Sequence, residues 1–103
     1  MYRLTVLYNQ PTDPAAFDEY YANTHMPLAA KLPGLRSAAV SKGDTLDGST
    51  PDVYQVSELY FDSKTDLVAA LTSEQGQAVS ADVANFATTG ASMVFTEVTE
   101  VSL

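Results

Sequence analysis

A chain of 103 residues, 46% hydrophobic and 17% charged, has the length and balance of a single globular domain spanning 1–103. Thirteen acidic against five basic residues leave a formal net charge of −8, which argues against nucleic acid as a partner and disfavours anionic membrane surfaces. With no cysteine and one histidine, disulfides, thiolate nucleophiles, Cys-bound zinc and multi-histidine metal sites are excluded. The first element, Tyr2 to Asn9, is β-branched and aromatic and stops at Gln10-Pro11, so it reads as a strand. Nothing in it is long or apolar enough for a signal peptide or a membrane span, and a cytoplasmic chain is expected. Asp13 and Pro14 open a helix as cap and first-turn residue. Its apolar face gathers Phe17, Tyr20, Tyr21, Thr24, Leu28 and Leu32 at spacings of three and four, and Pro33-Gly34 ends it. Leu35 to Gly43 reads as a second strand, Asp44 to Asp52 as a loop, and Val53 to Phe61 as a third strand. Ser63 caps a second helix, which Thr72-Ser73-Glu74-Gln75 can restart before Val79, Val83 and Phe86 carry the period to Gly90. Ser92 to Leu103 closes the chain as a fourth strand.

The order βαββαβ predicts an α+β, ferredoxin-like domain: a four-stranded antiparallel sheet with helices on one face. The other face should then be polar if solvent covers it. Instead, apolar residues fall on both parities: Val53, Leu59 and Phe61 against Tyr54, Val56 and Tyr60 in the third strand, for example. A second layer is therefore expected, and a homodimer packing sheet to sheet is its simplest source.

The segment Phe17 to Leu28 carries the chemistry. Pro27 lies where the helical pattern still runs, so it removes one hydrogen bond and crowds the carbonyl of Asn23. His25 sits in that disturbed turn, roughly 80° round the wheel from Phe17, with Tyr21 one turn before it. An imidazole beside a phenol at an apolar border can move protons to or from a neutral organic ligand. The alternative is a border histidine satisfied by a backbone carbonyl.

Phe17-x-x-Tyr20-Tyr21-x-x-x-His25-x-Pro27-Leu28, followed by Leu32-Pro33-Gly34-Leu35, resembles the EthD family, named for ethyl tert-butyl ether degradation. The resemblance follows the elements along essentially the whole chain. It implies a dimeric α+β barrel in which two ferredoxin-like sheets close on each other, with a ligand pocket between helices and sheet. It also implies that His25 is a pocket residue. Family members are bacterial proteins often encoded near catabolic oxygenases, and the namesake belongs with a cytochrome P450 system. The role implied is a catabolic accessory that holds a small apolar organic ligand. The alternative, from related barrels, is a cofactor-free isomerase, cyclase or monooxygenase with His25 as acid/base and Tyr21 as its partner. The cysteine of some isomerase relatives has no counterpart here.

Other residues are weighed beside these. Glu58 shares its parity with Tyr54, Val56 and Tyr60, and a carboxylate on an apolar face can act as a general base or pair with Arg3 or Arg36. Tyr8, Tyr20, Tyr54 and Tyr60 can line the pocket and bond a ligand oxygen, or simply pack. Glu97 and Glu100 are expected at solvent or a dimer rim. No metal, haem or nucleotide cofactor is expected: one histidine gives a single haem ligand with few cations for propionates, and no glycine-rich phosphate loop occurs.

Overall fold

In the computed structural model, which describes residues 1–103, the chain runs β1 (Tyr2–Asn9), α1 (Pro14–Tyr20), a π turn (Tyr21–His25), α2 (Met26–Ala29), β2 (Ser37–Lys42) and β3 (Val53–Phe61). It continues with α3 (Lys64–Thr72), α4 (Glu74–Asp82), a 3₁₀ turn (Val83–Asn85) and β4 (Ala91–Glu97). The strands form one antiparallel sheet in the order β2-β3-β1-β4, the ferredoxin-like arrangement. No helix is long and apolar enough to cross a membrane.

Local chemistry starts each helix. The Asp13 carboxylate accepts from the Ala16 N–H at 3.1 Å, and the Ser63 hydroxyl from the Asp66 N–H at 3.1 Å. Ser73 breaks the second helix in two, with ψ at 164°, and its hydroxyl caps α4 through the Gly76 N–H at 3.0 Å. The sharp corner brings Gly76 against the end of α3: a Cβ there would stand 2.1 Å from the Ala70 carbonyl oxygen. Gly76→Ala should therefore cost about 1–3 kcal/mol by overpacking, read as a lower denaturation midpoint at unchanged slope. An unchanged midpoint would mean that the corner opens freely.

Several elements are shorter than expected. β4 stops at Glu97 because Glu97 pairs with Tyr2, the first residue of β1, and beyond it there is no strand left to pair with. β2 starts at Ser37 rather than Leu35, whose N–H still bonds the Leu32 carbonyl in the turn. The helical period likewise ends at Asp82, not Gly90, and tightens into the 3₁₀ turn.

The register fixes the faces. Leu4, Val6 and Tyr8 of β1 and Gln55, Ser57, Leu59 and Phe61 of β3 are buried towards the helices, where Phe17, Tyr21, Leu67, Ala70, Val79 and Phe86 meet them. The opposite face carries Arg3, Thr5 and Leu7 beside Val56, Glu58 and Tyr60, with Val94 and Thr96 from β4.

The first helix accommodates Pro27 differently from a kinked α-helix. The Met26 N–H reaches back to Tyr21, five residues rather than four, so the turn before Pro27 is wide. A wider turn winds each residue through less than the 100° of an α-helix. That brings His25 from the border of the face onto the line of Phe17 and Tyr21, and all three are buried.

Candidate functional site

His25 is 5% exposed and lines a cavity of about 170 Å³ between the helices and the inner face of the sheet. Thirteen of its sixteen lining residues are hydrophobic, among them Leu4, Val6, Leu59, Leu71, Val79 and Met93. The polar groups reaching the same cavity belong to Tyr8, Tyr21, Ser57, Ser80 and His25. An apolar cavity of about 150 Å³ is enough for benzene, so this one has room for a single-ring compound.

The ring of His25 is held by Asp82, whose Oδ2 lies 2.9 Å from Nδ1. The other carboxylate oxygen, Oδ1, accepts from the Tyr20 hydroxyl at 2.6 Å and the Asn85 amide at 3.0 Å. Burial pushes the Asp82 carboxyl up, but the Tyr20 hydroxyl, the Asn85 amide and the His25 ring outweigh it and hold it below the ordinary carboxylate range. Asp82 therefore stays ionised at neutral pH and can only accept. In neutral His25 the proton must sit on Nδ1, and Nε2 is left as an acceptor with no hydrogen bond from the protein. Phe86 backs the imidazole with ring centroids 4.6 Å apart. The result is a carboxylate–imidazole pair of the kind that orients a general base.

Tyr21 also lines the cavity, with its ring 5.6 Å from that of His25, but its hydroxyl bonds Ser57 at 2.7 Å. The hydrogen-bonding partner of His25 is thus Asp82, not Tyr21. Burial raises the pKa of Tyr21 and, more strongly, of Tyr8, so both phenols stay protonated. Tyr20 lies behind the cavity, holding Asp82 rather than facing a ligand.

Three expected ligand contacts lie elsewhere. Glu58 and Tyr60 are on the opposite face of the sheet, where Glu58 pairs with Arg3 at 3.0 Å and accepts from the Tyr60 hydroxyl at 3.1 Å. Of the two cations considered for Glu58, Arg3 is the partner; Arg36 pairs with Asp62. Tyr54 leaves the parity of Val56 and Tyr60 through a β-bulge: Asn9 pairs with Val53 and Tyr8 with Gln55, so Tyr54 is the extra residue. Its ring packs on Phe17 and its hydroxyl bonds Asp18 at 2.9 Å, outside the cavity. No three His, Asp or Glu side chains converge to hold a metal ion.

Asp82 is the residue that sequence reasoning missed. An acid three residues after Val79 and four before Phe86 lies inside the apolar stripe, and that was its signal. Ser57 and Gln55 carried a fainter one, as polar residues on the parity of Leu59 and Phe61.

Residues 9–90 match the EthD domain family. A protein of Rhodococcus erythropolis, described as an uncharacterized 11.0 kDa protein in the thcB–thcC intergenic region, is 48% identical over 97 residues, covering 94% of each chain. The crystal structure of an EthD family protein from Bacillus halodurans C-125 superposes with a TM-score of 0.90 at 36% identity, covering 96% of this chain and 99% of that one. SnoaB, a cofactor-independent oxygenase from Streptomyces nogalater, superposes with a TM-score of 0.68 at 13% identity, covering 97% of this chain and 93% of SnoaB. That last likeness shows the fold alone.

Proposed function

The chain belongs to the EthD family, and on that premise we propose that it binds a single-ring apolar organic compound beside His25 and takes a proton from it, in catabolism of the ether-degradation type. One observation carries this reading: Asp82 fixes the Nδ1 proton of His25 and leaves Nε2 as the free acceptor on an apolar cavity. Such an acceptor contributes typically 10²–10⁴-fold to a proton transfer. Isomerisation, cyclisation and cofactor-free oxygenation all begin with that step. A purely accessory protein, holding a substrate or product for a cytochrome P450 system, would use the same cavity but has no need of an oriented base.

The working unit in this reading is a homodimer closed through the open sheet faces. Leu7, Val56 and Tyr60 are half-buried there already, and Val94 is exposed.

Native mass spectrometry with phenol and with toluene tests both parts. The expected result is a dimer mass, one ring compound per protomer, and a phenol preference over toluene that falls about tenfold in His25→Leu, which offers no acceptor. A monomer overturns the assembly; failure to bind either compound overturns the cavity; an unchanged preference in His25→Leu overturns the role of Nε2.

A further inference from the structure

A string of polar groups runs from the surface across the inner face of the sheet to the cavity, and proton transfer by His25 makes no use of it. It starts at Lys42, whose ammonium is bonded to Asp18 at 2.5 Å and lies 4.1 Å from the centre of the Tyr54 ring. The same ammonium donates to Gln55 Oε1 at 2.9 Å. Gln55 is 2% exposed, and its Nε2 faces Ser57 Oγ at 3.4 Å. Ser57, also 2% exposed, is 2.7 Å from the Tyr21 hydroxyl.

The chemistry of the first group sets the polarity of the rest. An ammonium only donates, so the carbonyl oxygen of Gln55 must face Lys42 and its NH₂ must face Ser57. Ser57 therefore accepts from Gln55. Tyr21 has one hydrogen and two neighbours, the Ser57 oxygen at 2.7 Å and the Met26 sulfur at 3.4 Å. A thioether is a weak acceptor, so that hydrogen goes to Ser57. Both lone pairs of Ser57 are then occupied, and its own hydrogen is left to be donated. Ser57 lines the cavity, as does the Tyr8 phenol beside it.

We propose that Ser57, with Tyr8 beside it, is the hydrogen-bond donor site for a carbonyl oxygen on the ligand, and that Gln55 and Lys42 are positioning residues that keep Ser57 donating into the cavity. The substrate class is then a single-ring ketone, lactone or quinone-like compound. The donors sit on the sheet side and the acceptor of His25 on the helix side of the same cavity. This rests on the ligand-binding reading of the cavity given above.

Acetophenone and α-methylstyrene are near-isosteric, one with C=O and the other with C=CH₂, and they isolate the oxygen. The ratio of their affinities and the carbonyl stretch of bound acetophenone are measured for the wild type, Ser57→Ala and Gln55→Glu. The expected result is a carbonyl stretch shifted to lower frequency in the wild type. In Ser57→Ala that shift disappears and the ketone-to-alkene affinity ratio falls about 5- to 10-fold. Gln55→Glu presents only acceptor oxygens, draws the Ser57 hydrogen to itself, and should lose the same shift although it adds no group to the cavity wall. Retained α-methylstyrene affinity shows that a variant is folded, and Ser57→Ala decides the matter alone if Gln55→Glu is not. An unchanged ratio and stretch in Ser57→Ala overturn the donor site while leaving the cavity reading intact. If neither compound binds the wild type, the cavity reading fails and the donor site falls with it.

Discussion

Asp82→Asn will move the proton of the neutral His25 ring from Nδ1 to Nε2. The two oxygens of Asp82 have different company: Oδ1 faces two donors, the Tyr20 hydroxyl and the Asn85 amide, and Oδ2 faces only Nδ1 of His25. An asparagine in that place must keep its oxygen towards the two donors, which turns its NH₂ to the imidazole. Nδ1 then accepts, Nε2 carries the hydrogen, and the cavity loses its base although every side chain stays in place. Nitrogen-15 shifts of the two ring atoms read the tautomer directly. Ring nitrogens that keep their wild-type pattern in Asp82→Asn would mean that Asp82 does not set the tautomer.

Stability separates the same pair of roles. Asp82→Ala leaves the buried His25 ring without its partner and releases the half-buried Tyr20 hydroxyl and the exposed Asn85 amide, at a cost of order 1–3 kcal/mol, whereas Asp82→Asn keeps all three partnered and should cost less. The pH dependence has a definite sign. The folded pKa of Asp82 lies below its ordinary value of 3.8, so its contribution is complete above that value and is lost as pH falls through the lower, folded pKa. The gap between wild type and Asp82→Ala is therefore full at neutral pH and closes in strong acid.

The course of the chain was legible where local chemistry decides it. β1 and β3 have the bounds that their β-branched and aromatic residues predict, and Asp13, Ser63 and Ser73 cap the helices they precede. What a partner decides was not legible. The end of β4 depends on where β1 begins, and the bulge at Tyr54 exists only in the register of β3 against β1. Alternation correctly grouped Glu58 with Val56 and Tyr60, but parity alone does not say which face the helices cover. Whether Glu58 is a carboxylate in the cavity or one paired with Arg3 behind the sheet was therefore invisible. The π turn escaped for a related reason: apolar spacings of three and four read the same whether one residue is wound loosely or not.

Phe86→Ala should be the most damaging single truncation in the molecule. The Phe86 ring is buried at the end of the 3₁₀ turn, with centroids 4.6 Å from His25, 5.2 Å from Phe17, 5.4 Å from Tyr20, 5.5 Å from Tyr8 and 5.9 Å from Tyr21. It thus touches the base, the residue that holds Asp82, and two phenols of the cavity wall. Removing a buried aromatic ring costs about 3–5 kcal/mol, a large share of the roughly 5–15 kcal/mol that holds a domain together. Phe86 does not itself line the cavity, so the void opens beside His25 and the imidazole gains room to swing off Asp82. Phe86→Leu refills most of the space and should recover the greater part of the loss, as hydrophobic replacements near the original volume do. Chemical denaturation gives the free energies, and the ring nitrogen shifts of His25 show whether the proton stays fixed on Nδ1. The expected order is wild type, Phe86→Leu, Phe86→Ala in both measurements. A cost under about 1 kcal/mol in Phe86→Ala, or a His25 tautomer as well defined as in the wild type, would show that Asp82 alone is enough to hold the base.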